Sequence, residues 1–189
     1  MRMSGEYRIE APREAVWAAL NDPEVLKQAI PGCEEIEKVS DTELAAKVTI
    51  KVGPVKANFS GVVRLSDLDP PKGYTISGEG KGGPAGFAKG GAKVRLEEDG
   101  AATILHYDVE ALVGGKLAQI GSRLIDATAK KMANDFFARF AEVVGGPAPE
   151  EAAEEAAEEA APVGAMRPLF WALGVVAIML VLLAIFGLN

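Results

Sequence analysis

The sequence predicts an α+β fold in which a curved antiparallel sheet is covered on one face by a long C-terminal helix, with a separate transmembrane helix beyond it. Three observations carry this. From Glu35 onward apolar residues alternate with polar ones in successive runs, with turn residues about every ten. From Lys116 to Val144 the apolar spacing lengthens to that of a helix. From Pro168 to Leu188 there is no charged residue at all.

The elements follow in order. Ser4 to Ala11 alternates as a first strand. Pro12 then stands at a helix start, where its missing N–H costs nothing, and Ala15, Val16, Ala19 and Leu20 form a stripe that stops at Asn21-Asp22-Pro23. A second short helix is expected from Pro23 to about Ile30, closed by Pro31-Gly32. In the meander, Val48, Ile50 and Val52 alternate with Lys47, Thr49 and Lys51, and Gly53-Pro54 breaks the run. Val55, Ala57, Phe59, Val63 and Leu65 continue the dry face as far as the turn at Asp69-Pro70-Pro71-Lys72-Gly73, and a further strand starts at Tyr74. Lys93 to Glu98 and Thr103 to Val113 pair about Glu98-Asp99-Gly100, with Leu105, Tyr107, Val109 and Ala111 opposing His106, Asp108 and Glu110. A sheet with one dry and one wet face must be covered on one side only. The cover is a helix of roughly 28 residues whose apolar stripe reads Leu117, Ile120, Gly121, Leu124, Thr128, Met132, Phe136 and Phe140, with Arg123, Lys130, Lys131 and Asn134 facing away.

The chain therefore divides into a domain at 1–145, an acidic linker at 146–166 and an anchor at 167–189. An uncharged run of roughly 20 residues at about 1.5 Å each spans the roughly 30 Å core of a bilayer. The N-terminus, Met-Arg-Met-Ser-Gly-Glu-Tyr-Arg, has no apolar stretch for export, so a single-pass protein of the inner (cytoplasmic) membrane with its domain on the cytoplasmic side is expected. Arg167 on the domain side agrees. Between domain and anchor, Glu150 to Ala161 repeats Glu-Glu-Ala-Ala, and like charges at i,i+4 with no apolar face predict a solvated, partly helical spacer.

Charge excludes some functions. The net charge is −7, but the stretch after Gly146 holds six acidic residues and one basic one, leaving 19 basic against 21 acidic in the domain. Nothing there matches a phosphate backbone, so nucleic acid is not an expected partner. One histidine and one cysteine cannot supply a convergent metal site, and Cys33 reads as a packed small residue in a reducing compartment. His106 falls on the wet face of its strand. The glycines from Gly78 to Gly91 suggest a phosphate loop, but strand patterns flank them on both sides where a phosphate loop needs a helix, so a mobile hairpin or pocket lid is the better reading. No nucleophile with an adjacent base emerges, and no enzymatic activity is expected.

Certain local runs carry a resemblance. Pro12-Arg13-Glu14-Ala15-Val16-Trp17, Ile30-Pro31-Gly32-Cys33, Gly53-Pro54-Val55-Lys56, Phe59-Ser60-Gly61 and Gly115-Lys116-Leu117-Ala118-Gln119-Ile120-Gly121 resemble the family of the carbon monoxide dehydrogenase G subunit, within the helix-grip fold of the START and Bet v 1-like (SRPBCC) superfamily. The resemblance covers residues 1 to about 145, and an acidic linker with a terminal transmembrane helix also occurs in members of that family. It implies an accessory role: recruiting a cytosolic molybdenum carbon monoxide dehydrogenase-type oxidoreductase to the membrane, with a cavity for an apolar molecule such as a respiratory quinone and no covalent cofactor. A recruitment factor without ligand, and a cyclase or dehydratase of the same fold, are the alternatives. Periodicity supplies the expected walls of the cavity: Phe59, Tyr74, Leu105, Tyr107 and Val109 from the sheet, and Leu117, Ile120, Leu124, Thr128 and Phe136 from the helix.

Overall fold

A computed structural model describes residues 1–145. The expected linker and transmembrane helix lie outside the described residues, and among the described residues no helix is long and apolar enough to cross a membrane.

Seven strands form one antiparallel sheet: β1 (Arg2–Ile9), β2 (Cys33–Ser40), β3 (Glu43–Val52), β4 (Val55–Asp69), β5 (Gly73–Lys81), β6 (Phe87–Asp99) and β7 (Ala102–Gly114). Their order is β1-β7-β6-β5-β4-β3-β2, so six strands run as a meander and the first returns to pair with the last. Two short helices, α1 (Arg13–Leu20) and α2 (Pro23–Ala29), sit between β1 and β2. Asp22 caps α2 by accepting from the Glu24 N–H at 2.9 Å, with Pro23 at the first helical position. Both helices lie on the concave face, where Trp17 of α1 meets Tyr74 of β5 edge-on at 5.3 Å. Arg13 Nη2 ties the start of α1 to Glu98 at 2.8 Å, and the buried Thr103 hydroxyl donates to the Ala11 carbonyl at 2.7 Å.

The covering helix is not one piece. A short α3 (Lys116–Gln119) is followed by a break at Gly121, whose φ of 101° lies where an L side chain is strained, and then by α4 (Ser122–Gly145). Within α4 the expected stripe, read in steps of four, drifts about 40° per step around the helix. Ala129, Ala133, Phe136, Phe137, Phe140 and Ala141 are the residues α4 buries, whereas Leu124, expected inward, is 40% exposed. Thr128, also expected inward, is half-buried and donates its hydroxyl to the Leu124 carbonyl of its own helix at 2.8 Å.

The glycine-rich stretch is mostly sheet. Gly78 and Gly80 belong to β5 and Gly90 and Gly91 to β6, so the loop between them shrinks to a single 3₁₀ turn at Gly83–Ala85. His106 stands on the convex face between Glu6 and Glu97, at 3.4 and 3.2 Å.

Candidate ligand cavity

Strand register decides what lines the concave face. One row across the sheet aligns Leu44, Val63, Gly78, Gly90 and Ala111. The next row toward the β3–β4 hairpin aligns Ala46, Gly61 and Gly80, with Ala88 opposite Val113 in the adjoining pair. Six of these positions carry glycine or alanine on β4 to β7, where neighbouring rows carry Val, Ile, Tyr and Leu. A strand interior gains nothing from glycine in stability. Gly90 is explained by β7, since a Cβ there would strike the Glu110 carbonyl and Ala111; the other small residues of the patch leave room for something else to approach. The sequence pattern alone did not single out these residues. The signal was present as small residues at every second position of 78–92, but it was hidden inside a run that reads as a loop.

Above this floor the cover is uneven. The second half of α4 is pressed onto the sheet: Phe136, Phe137 and Phe140 are fully buried, and Phe137 stacks on Tyr7 at 4.9 Å and on Tyr107 at 5.9 Å. Its first half is not. Asp126 and Ala127 are exposed along with Leu124, and Ile125 is only half-buried. Beneath that half, Val55, Ala57 and Val113 face inward yet keep partial access to solvent. The concave face is therefore sealed at the end held by α1, α2 and the phenylalanines and stays partly open at the end formed by the β3–β4 hairpin, the 3₁₀ turn and the β7–α3 junction.

Two of these loops touch through backbone. A Cβ on Gly115, where φ is 76°, would strike the Gly86 Cα, and one on Gly86, where φ is 120°, would strike the Gly114 carbonyl. Gly82 similarly leaves room for the Phe59 ring. At the third loop, Gly53 lies under Leu124, whose Cδ2 would be 2.8 Å from an added Cβ. The rim is built from glycines because only bare backbone packs so closely.

Of the ten expected wall residues, Phe59, Tyr74, Leu105, Tyr107, Val109, Leu117 and Phe136 are buried in one apolar cluster, and Ile120 packs half-buried against it. Tyr107 and Phe136 are committed to the aromatic stack at the sealed end. Leu105 sits in the same region, opposite Leu96 and Tyr7. Leu124 lies at the rim, and Thr128 is spent on its own helix. The phenol of Tyr74 is raised above its ordinary range by burial, so at neutral pH it can offer a hydrogen bond but not a charge. Among the described residues no group of His, Cys, Asp and Glu could hold a metal ion.

The family model of CoxG, the G subunit of carbon monoxide dehydrogenase, matches residues 5–145. The chain belongs to this family. A conserved protein from Geobacillus kaustophilus is 30% identical, with a TM-score of 0.72, over 76% of this chain and 95% of its own. That solved chain consists almost wholly of the domain described here, so a domain of this kind folds without a tail. Two further solved structures share the fold alone. One is TTHA0849 from Thermus thermophilus, 15% identical with a TM-score of 0.59 over 76% of this chain and 97% of that one. The other is the ZhuI aromatase/cyclase from Streptomyces sp. R1128, 16% identical with a TM-score of 0.54 over 76% and 93%. No curated protein matches the chain.

Proposed function

We propose that this CoxG-family chain is a membrane-tethered carrier and adaptor without catalytic activity of its own, which holds an apolar molecule of the respiratory-quinone class and presents it to a molybdenum carbon monoxide dehydrogenase-type oxidoreductase. The observation that carries this reading is the glycine and alanine floor facing the loosely seated first half of α4. A surface of this kind holds a ligand through buried apolar area, at roughly 25 cal/mol per Å2, more than through hydrogen bonds. An isoprenoid chain suits it. The uncharged run from Pro168 to Leu188 would anchor the domain at the inner membrane, and the acidic stretch before it would give reach. Tethering raises the rate of encounter between bilayer, carrier and enzyme, so modest affinity suffices.

The fold is shared with a protein named as an aromatase/cyclase, but among the described residues the ionisable groups packed in or against the core are phenols and the Cys33 thiol, with no buried carboxylate or histidine, which favours binding over acid–base chemistry.

Extraction of the detergent-purified full chain with organic solvent, followed by mass spectrometry, tests the carrier. A quinone or other isoprenoid in near-stoichiometric amount is expected. A chain that carries none, and takes up none in detergent, would be a recruitment factor only. Fractionation tests the anchor: a chain ending at Gly145 should leave membranes washed at about 0.5 M salt, where surface charge attraction is screened, while the full chain is retained.

A further inference from the structure

The open end of the cavity is also a pole of charge. Its three loops, residues 51–58, 81–90 and 112–124, contain no aspartate or glutamate and carry Lys51, Lys56, Lys81, Lys89, Lys116 and Arg123. All six are exposed, and among the described residues none of them takes part in an ion pair. The turns at the sealed end are the reverse. Asp41, Asp67, Asp69, Glu97, Glu98 and Asp99 crowd there, and Arg8, Arg13 and Lys38 are taken up in ion pairs with acidic neighbours.

Of the six large apolar side chains exposed among the described residues, three lie at this open end, while Val39, Leu68 and Val143 lie at the other, where the neighbouring turns are acidic. Phe87 is 42% exposed, Leu112 53% and Leu124 40%. Phe87 and Leu112 are diagonal neighbours on the convex face, since Phe87 pairs with Gly114 and Lys89 with Leu112. Lys89 thus stands beside both of these apolar tips, with Glu79 opposite it on β5, and Arg123 precedes the third, with Asp126 a little further along α4; cations outnumber acids here by six to two. Apolar tips flanked by unpaired cations match an interface with an acyl region below and anionic headgroups around it. An acidic protein surface would satisfy the cations but not the three apolar tips.

We propose that the domain docks on anionic phospholipid with this pole, so that the rim of the cavity meets the bilayer directly. This deepens the carrier reading and gives the ligand a path that avoids water. The tether does not prevent it. α4 carries the chain about 36 Å from the rim to the opposite pole, where Gly145 lies over the Glu10 carbonyl. The twenty or so residues before Pro168 can extend about 70 Å, enough to return to the same membrane surface.

The test is cosedimentation of a chain ending at Gly145 with vesicles of phosphatidylcholine alone or mixed with phosphatidylglycerol. Binding is expected only to the mixed vesicles, and is expected to fall away as salt rises from about 0.05 to 0.5 M. Joint reversal, Lys81→Glu with Lys89→Glu, should weaken it at least about tenfold, and Phe87→Ala with Leu112→Ser should weaken it severalfold at constant salt. Lys72→Glu, at the sealed end, should leave it unchanged, and thermal melts should show each variant folded. Absence of binding to mixed vesicles would overturn the proposal, as would equal weakening by Lys72→Glu. If a chain ending at Val163 fails to bind where the shorter one binds, its own glutamates cover the pole and the proposal also falls. Vesicle binding by a chain that retains no isoprenoid would remove the carrier reading and leave the docking surface standing.

Discussion

The two halves of α4 lie over the same sheet and use it differently. From Ala129 onward the helix buries alanines and phenylalanines in ring-to-ring contact, and the sheet below answers with Tyr7, Leu105 and Tyr107. From Ser122 to Thr128 it buries almost nothing, and the sheet below turns to glycine and alanine. The first arrangement supplies stability. The second gives up packing that a covering helix would otherwise make, which is where the proposed ligand would be accommodated.

Substitutions should separate the halves by size of effect. Phe137→Ala empties the centre of the aromatic stack and should cost about 3 to 5 kcal/mol in urea unfolding of the 1–145 domain. A loss below about 1 kcal/mol would show that the sealed end is not sealed. Gly115→Ala puts a Cβ against the Gly86 backbone at a φ of 76°, and should cost about 1 to 3 kcal/mol in the same assay. Leu124→Ala, at the rim, should cost no more than about 0.5 to 1 kcal/mol, although it removes a leucine from a helix that covers a sheet. Its effect should appear in ligand retention instead.

The smallest effect is one of pH. Burial pushes the Cys33 thiol from 9.0 up to about 11, with Lys27 acting against the rise and Glu34 adding to it. The folded chain therefore resists losing this proton more than the unfolded chain does. Stability on this account is intact below about pH 9 and declines as pH climbs from there toward 11. Cys33→Ser should flatten that decline in an alkaline melting series, and thiol reagents should label the wild-type domain slowly at neutral pH.

Much of the fold was legible because its signals are local. Alternation in Val48, Ile50 and Val52, the proline at the start of α1 and the turn at Asp69 to Gly73 each act within a few residues, and the structure places strands and helices accordingly. Which face of each strand turns inward was legible for the same reason, since period two leaves only two faces, but periodicity did not show that Tyr74, Leu105 and Tyr107 fall at the sealed end of that face. The helix side was harder. Gly121 looks harmless within a helical stripe, yet its positive φ ends α3, and within α4 a stripe read in steps of four drifts about 40° per step, so Leu124 and the buried Phe136, Phe137 and Phe140 fall on different parts of the helix surface. The floor was not legible at all, because Gly61, Gly78, Gly90 and Ala111 form a patch only once register brings four strands side by side. Periodicity within one strand carries no information about that alignment.

An apolar ligand in the open half can be read from Trp17, which lies at the sealed end of the same concave face, within quenching range of a bound quinone ring. Trp17 is the single tryptophan of a chain ending at Gly145 and packs against Tyr74 on the concave side. Titration of a water-dispersible quinone into that domain should quench Trp17 fluorescence along a saturable curve. Ala111→Phe, which fills the glycine row, should abolish the saturable part while the domain keeps its fold by circular dichroism. No quenching in the wild-type domain, or the same curve in both, would contradict the account.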